Sequence, residues 1–316
     1  MLALTRRFRQ SKKAMCKHLS CGYLLLRRHG LFLLLACLLS FPCMAEAALR
    51  IDAPETVPQG AAFLVWIISD EPDTFAQVRW RKKHVRVPLV QSETGWKGSV
   101  LLPMPLEGDD PLTIQAKSNK ATARIAVRPV PVAWEKQELQ VEPKYVTPPE
   151  DQAARIKSES RTSRAALDTV SPDRYWQLPF VRPVPGDLTS HFGEQRVFNG
   201  EPRSRHRGVD LRGETGTPIL AMGAGKVVIA DKYYFSGNVV YIDHGQGVVS
   251  LYAHMSSIGV RTGDMVEAGQ PIGLVGATGR VTGPHLHLGV NVLGFAVDPF
   301  SLLAMRADSV QEQPHE

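Results

Sequence analysis

Two short segments of the sequence carry side chains that could bind a metal ion. His206 and Asp210 stand four positions apart, and His285 and His287 are separated by one leucine. Alternate residues of a β-strand point to the same face, so we expect His285 and His287 to project together. Neutral imidazole and carboxylate groups suit Zn²⁺, and a catalytic zinc site typically has three protein ligands and one open position. The spacing therefore nominates these residues for a zinc site without deciding which of them bind the ion.

The residues around these segments form short motifs in a definite order. A Gly-Thr-Pro turn occupies 216–218, an Asp-His-Gly sequence occupies 243–245, a Leu-Tyr-Ala sequence leads into His254, and Gly-Pro directly precedes His285. In this order and spacing, residues 183–303 resemble the lysostaphin/LytM-type zinc endopeptidases of bacterial cell walls. The resemblance covers well over a third of the chain.

The resemblance implies a role for each site residue. His206, Asp210 and His287 would bind zinc, while His254 and His285 would act in catalysis without contacting the metal. Histidine suits proton transfer because its pKa lies near neutrality. We favour His285 as the general base, with His254 stabilising the oxyanion or aiding proton transfer. The sequence leaves this division of roles open.

The function implied by the resemblance is hydrolysis of peptide cross-links in peptidoglycan, so that the partners are peptidoglycan peptide stems. The cleaved bond could be a D-alanyl cross-link to a diamino acid or a glycine-rich bridge. One alternative is a catalytically inactive relative that activates cell wall amidases; such relatives have lost zinc ligands, whereas all five positions are filled here. Another is a structural zinc domain, but a structural site would be closed by a fourth protein ligand.

The charge of the chain is concentrated at its N-terminus. The formal net charge is +6, and residues 1–47 hold eight of the 37 basic residues and one of the 31 acidic residues. The remaining residues, 48–316, therefore carry 29 basic and 30 acidic side chains and are close to neutral. A basic protein that binds nucleic acid would carry its charge on the folded domains. We therefore expect no nucleic-acid partner.

Residues 1–47 have the pattern of a signal peptide or membrane-targeting segment. A basic region ends at Arg28, an apolar run occupies 31–39, and Ala-Glu-Ala at 45–47 offers a cleavage site. Lipidation at Cys37 and an uncleaved membrane anchor are the alternatives, and each of them exports the protein. All four cysteines lie in this segment, so the chain after residue 47 has no disulfide. We expect a location in the periplasm or cell envelope, with membrane contact only through an uncleaved segment.

The rest of the chain is predicted to be mainly β. Residues 48–132 alternate in short strands with turns between them, which predicts an immunoglobulin-like β sandwich. Residues 133–182 contain prolines and one polar helical run, which predicts a linker with one exposed helix. Residues 183–305 have many short strands and glycine-rich turns, which predicts an antiparallel β domain of the LytM type. A polar, disordered tail is expected at 306–316. The basic cluster at 79–84 favours a solvated strand edge over a contact with an anionic wall polymer.

Overall fold

The structure is a computed structural model, and it describes residues 49–306 of the chain. The predicted targeting segment, 1–47, and all but the first residue of the predicted tail, 306–316, lie outside the described residues. Within the described range, no helix is long and apolar enough to cross a membrane.

The first domain is a sandwich of two β-sheets. Its strands are β1 (Leu49–Asp52), β2 (Thr56–Pro58), β3 (Ala62–Ser69), β4 (Phe75–Trp80), β5 (Lys83–Pro88), β6 (Val90–Ser92), β7 (Gly95–Pro103), β8 (Leu112–Lys117) and β9 (Thr122–Val130). The sheets have the orders β1-β3-β7-β6 and β2-β9-β8-β4-β5. This is the strand order of an immunoglobulin-like sandwich whose first strand is divided between the two sheets, which confirms the predicted fold.

Residue alternation explains why these segments form a sandwich. In β4, Ala76, Val78 and Trp80 are completely buried, while the residues between them are partly or fully exposed. The Trp80 ring packs edge-on against Phe63, and its Nε1 donates to the carbonyl of Pro103 at 3.1 Å. The largest side chain of the core is therefore buried with its polar atom satisfied.

The connector between the domains is folded against the second domain. Its elements are β10 (Lys136–Leu139), α1 (Pro143–Val146), a 3₁₀ turn (Glu150–Gln152) and α2 (Ala153–Leu167). Strand β10 lies parallel to β12 (Gln195–Phe198) in a three-stranded sheet, and Trp176 is 1% exposed in the core. The expected exposed helix is present as α2, which has no buried residue. The segments around β10 and Trp176 pack against the second domain instead of forming a free linker. Strand β10 can do so because an extended chain can pair with an open strand edge.

The second domain is built on one antiparallel sheet. Its elements are β11 (Leu188–Ser190), β12, β13 (Glu201–Arg205), β14 (Val209–Arg212), β15 (Pro218–Leu220), β16 (Gly225–Tyr233), β17 (Gly237–Gly245), β18 (Val248–Met255), β19 (Ser257–Ile258), β20 (Met265–Val266), β21 (Pro271–Leu274), β22 (His285–Val292), β23 (Phe295–Val297) and α3 (Pro299–Leu303). The sheet has the order β11-β14-β22-β18-β17-β16-β20, and β23 pairs with β22. Strands β15, β21 and β19 form a small separate sheet. The antiparallel architecture agrees with the prediction.

Candidate metal centre and catalytic site

The neighbouring strands β14 and β22 bring the predicted metal ligands together. Their register places Asp210 opposite His287. Leu211, Leu286 and Leu288 alternate with these residues and are completely buried. Since alternate side chains point to opposite faces, burial of the leucines directs the polar side chains to the other face of the sheet.

Three ligand atoms converge at this face. His206 Nε2 lies 3.2 Å from Asp210 Oδ1 and 3.0 Å from His287 Nδ1, and the latter two atoms are 2.8 Å apart. Ligands about 2.0–2.1 Å from a tetrahedral zinc ion are separated by roughly 3.3 Å from one another. The donor set and its spacing therefore fit Zn²⁺. Three protein ligands would leave the fourth coordination position of a tetrahedral ion open.

The surroundings hold these groups in the forms that bind a metal. Nδ1 of His206 donates to the carbonyl of His191 at 2.9 Å, which leaves the Nε2 lone pair directed at the cluster. Burial by itself raises the pKa of Asp210, but the neighbouring imidazoles of His206 and His287 outweigh it and hold that pKa well below its usual value. Burial lowers the pKa of His287 to about 4. At neutral pH the carboxylate is therefore ionised and the imidazole is neutral, as metal binding requires.

Gly208 lies between two of these residues and permits their close approach. A Cβ atom at this position would lie 2.8 Å from Cε1 of His287 and would also collide with the carbonyl of Leu288. A side chain here would therefore push the His287 ring away from the cluster.

The two predicted catalytic histidines lie beside the cluster. His254 Nδ1 donates to the carbonyl of Thr278, and His285 Nδ1 donates to that of Gly283, each at 2.9 Å. Both rings therefore keep Nε2 free, and His285 Nε2 lies 3.8 Å from Asp210 Oδ1. The ring centres of His254 and His285 are 5.0 Å apart. Each histidine thus has Nδ1 bound to a carbonyl and Nε2 available beside the candidate ligands.

His254 is held in an unusual state. Its φ is +67°, a conformation that non-glycine residues rarely adopt and that tends to occur at functional sites. Burial lowers its pKa to about 3, so that the ring is neutral at physiological pH. A neutral ring that uses Nδ1–H to bind Thr278 has a lone pair on Nε2 and can accept a hydrogen bond there.

Arg196 is a site residue that sequence reasoning missed. Its Nη2 donates to Asp210 Oδ2 and to Ser190 Oγ, the latter at 3.1 Å, and lies 3.0 Å from His206 Nε2. Its Nε is buried and has no hydrogen-bond partner among the described residues. Arg196 belongs to strand β12 and to none of the short motifs, so no local sequence signal marks it. A cationic side chain therefore lies directly beside the predicted metal ligands.

A cavity of about 330 Å³ opens next to Asp210 and the two predicted catalytic histidines. One wall is the segment 280–284. The lining also includes Arg196 and Phe198 of β12, together with Gln137 and Leu139 of the connector. The groove is therefore partly built from a segment that was predicted to be only a linker.

Comparison with known families and structures places this site in a defined context. Residues 204–299 match the model of Peptidase family M23, and all five predicted site residues lie within that range, whereas Arg196 lies outside it. The crystal structure of a Pseudomonas aeruginosa protein assigned to peptidase M23 has a TM-score of 0.59 and 29% identity, over 76% of this chain and 93% of that one.

Two curated relatives differ in what they are said to do. Peptidoglycan DD-endopeptidase ShyA of Vibrio cholerae is 39% identical over 127 residues, which is 40% of this chain and 30% of that protein. Murein hydrolase activator EnvC of Escherichia coli is 38% identical over 117 residues, 37% of this chain and 27% of that protein. The chain thus spans less than a third of the length of these relatives. The part of this chain that holds the five site residues belongs to peptidase family M23, with a domain of the LytM type.

Proposed function

We propose that this protein is a zinc-dependent endopeptidase that hydrolyses peptide cross-links of bacterial peptidoglycan and so remodels the cell wall. The observation that carries the proposal is the pairing of two groups of side chains. Three donor atoms, each within 3.2 Å of the next, fit zinc, and two imidazoles with free Nε2 atoms lie beside them. A purely structural zinc site has no use for such imidazoles.

Each residue then has a chemical task. His206, Asp210 and His287 would hold Zn²⁺, which when bound acts as a Lewis acid on the scissile carbonyl and activates water. His285 Nε2, close to Asp210, takes the proton from the attacking water. The proton that His285 takes must then reach the leaving amine, and His254 aids this transfer. Its neutral ring has no hydrogen on Nε2, which favours proton transfer over stabilisation of the oxyanion.

The relatives named DD-endopeptidase favour a D-alanyl cross-link over a glycine-rich bridge as the cleaved bond. Such a substrate requires export, and we propose a location in the periplasm or cell envelope. The relative named as a murein hydrolase activator supports one alternative, an inactive domain that activates cell wall amidases. The presence of all five site residues supports hydrolysis instead.

The test combines zinc analysis with mass spectrometry of fragments released from purified sacculi and from defined cross-linked muropeptides. We expect the wild-type protein to hold about one zinc ion and to cleave the cross-link. His206→Ala and His287→Ala should lose zinc and activity together, because two protein ligands hold the ion poorly. His285→Ala and His254→Ala should keep zinc, while the rate falls by on the order of 10²–10⁴.

Two results would contradict the proposal. A zinc-loaded wild-type protein that releases no fragments but stimulates an amidase would be an activator. Zinc loss from His285→Ala would make His285 a ligand and reopen the role of His287.

A further inference from the structure

A second and larger groove leads to the metal cluster from the connector helix. Its volume is about 870 Å³, and it is lined by α2, by the loop of the sandwich around Leu106, and by the second domain as far as His287. A smaller cavity of about 260 Å³ shares Arg205, Arg207 and His287 with this groove and extends to Arg280. An extended ligand in the groove would therefore pass directly beside a predicted zinc ligand.

The acidic side chains of the groove all form ion pairs, whereas two of its arginines form none within the described residues. Three acidic residues line it, and each has a cationic partner. The pairs are Glu107 with Arg205 at 3.8 Å, Glu159 with Arg155 at 2.7 Å, and Asp168 with Lys83 at 3.9 Å. Arg164 of α2 and Arg207 also line the groove, are exposed, and form no ion pair within residues 49–306. The groove thus presents two guanidinium groups that are free to bind an anion.

The apolar part of the lining favours a peptide as the ligand. Leu106, Leu167, Leu251 and Phe235 lie among the charged side chains of the groove. Guanidinium groups bind carboxylates through two parallel hydrogen bonds, which fixes orientation as well as charge. A ligand that suits this lining carries carboxylates for the arginines and aliphatic groups for the apolar side chains, and an acidic peptide has both.

We propose that this groove binds one peptide stem of the cross-linked substrate through its free carboxylates, with Arg164 and Arg207 as the groups that recognise them. This inference rests on the proposed function and adds to it a specificity site that extends beyond the region matched by the family model, since Arg207 lies within residues 204–299 but Arg164 on α2 lies before them. The connector helix thereby becomes part of the substrate site.

The experiment uses the full chain and two cross-linked peptide dimers, identical except that the stem carboxylates are free in one and amidated in the other. Arg164→Ala should raise KM for the free-carboxylate dimer by about 2- to 5-fold, the range for exposed ion pairs, with kcat unchanged. KM for the amidated dimer should not change. Arg207→Ala should act in the same direction, with its zinc content measured because it adjoins His206. Arg161→Ala is the matched control, since Arg161 is exposed on the same helix but does not line the groove.

Calorimetric titration of both dimers into the His285→Ala variant separates this inference from the proposed function. Tighter binding of the free-carboxylate dimer, lost on adding Arg164→Ala, supports the inference even if the wild-type protein cleaves neither dimer. Cleavage of both dimers with equal KM, equal binding of both, or an equal effect of Arg161→Ala and Arg164→Ala overturns it.

Discussion

Arg196 should oppose metal binding, and its replacement by alanine should tighten the affinity for zinc. Its guanidinium donates to Asp210 and lies 3.0 Å from His206 Nε2, and its side chain is only 16% exposed. The positive charge therefore faces the same atoms that would bind the ion. In the wild-type protein, zinc must either displace this group or bind against its field.

The size of the effect follows from the short distance. Two unit charges about 4 Å apart interact by roughly 4 kcal/mol at an effective dielectric constant of about 20, and a divalent ion doubles that value. Delocalised charge and rotation of the side chain away from the cluster reduce it. Loss of the hydrogen bonds that position Asp210 reduces it further, so that we expect a net gain of at least about 1.4 kcal/mol, or tenfold.

The assay is competition for zinc between the protein and a chelator of known affinity, at pH 7 and fixed ionic strength. Arg212→Ala is the matched control, because Arg212 lines the same cavity, is exposed, and makes no hydrogen bond to Asp210 in the described part of the chain. Its affinity should stay within about twofold of wild type. If Arg196→Ala bound zinc more weakly than wild type, Arg196 would be a group that positions Asp210, and the electrostatic reasoning would fail.

Two further changes test the packing against His287 and the burial of His244. Gly208→Ala should weaken zinc binding by about tenfold or more, because its Cβ displaces the His287 ring. Gly259→Ala is the control and should leave zinc affinity unchanged, since its Cβ meets only ordinary contacts at 3.4 Å or more. Equal zinc affinities of the two variants would show that the Gly208 contact does not position the ring. Burial lowers the pKa of His244 from 6.5 to about 4. His244 therefore takes up a proton below about pH 6.5 in the unfolded chain, but only below about pH 4 in the folded chain. Stability should therefore fall as the pH is lowered through this window, by roughly 2 kcal/mol between pH 7 and pH 5. Denaturant unfolding of the metal-free protein should show a smaller pH dependence in His244→Gln, and an unchanged dependence would mean that His244 does not cause it.

The sequence nominated the candidate metal ligands because part of their geometry is local, although the pairing of β14 with β22 that brings Asp210 opposite His287 is not. His285 and His287 share a face through the alternation of one strand, and buried leucines between and beside them determine which face it is. The sandwich was predictable for the same reason. Alternation in β4 and its neighbours defines an inside and an outside without reference to distant residues.

The parts that sequence reasoning missed depend on pairing between distant segments. Strand β10 meets β12 across more than 50 residues, and only this pairing explains how Gln137 reaches the same cavity as Arg196. His191 contributes its backbone carbonyl, which accepts a hydrogen bond from His206. A backbone contact of this kind cannot be read from the residue types. Propensity and spacing describe what a segment can form, whereas the partner of an open strand edge is selected by the whole fold.

The pairing of β10 with β12 also determines where the chain can be divided. Trp134 packs edge-on against Phe192, and its ring fills the space above Gly193, just before β10 begins. A fragment that starts at residue 183 would leave one side of β12 as an unpaired edge, which is a template for association with other chains. It would also lose Trp176 from its core. A fragment intended for transfer into another protein should therefore begin near residue 133. It would then include the connector residues that line the cavity beside the candidate site.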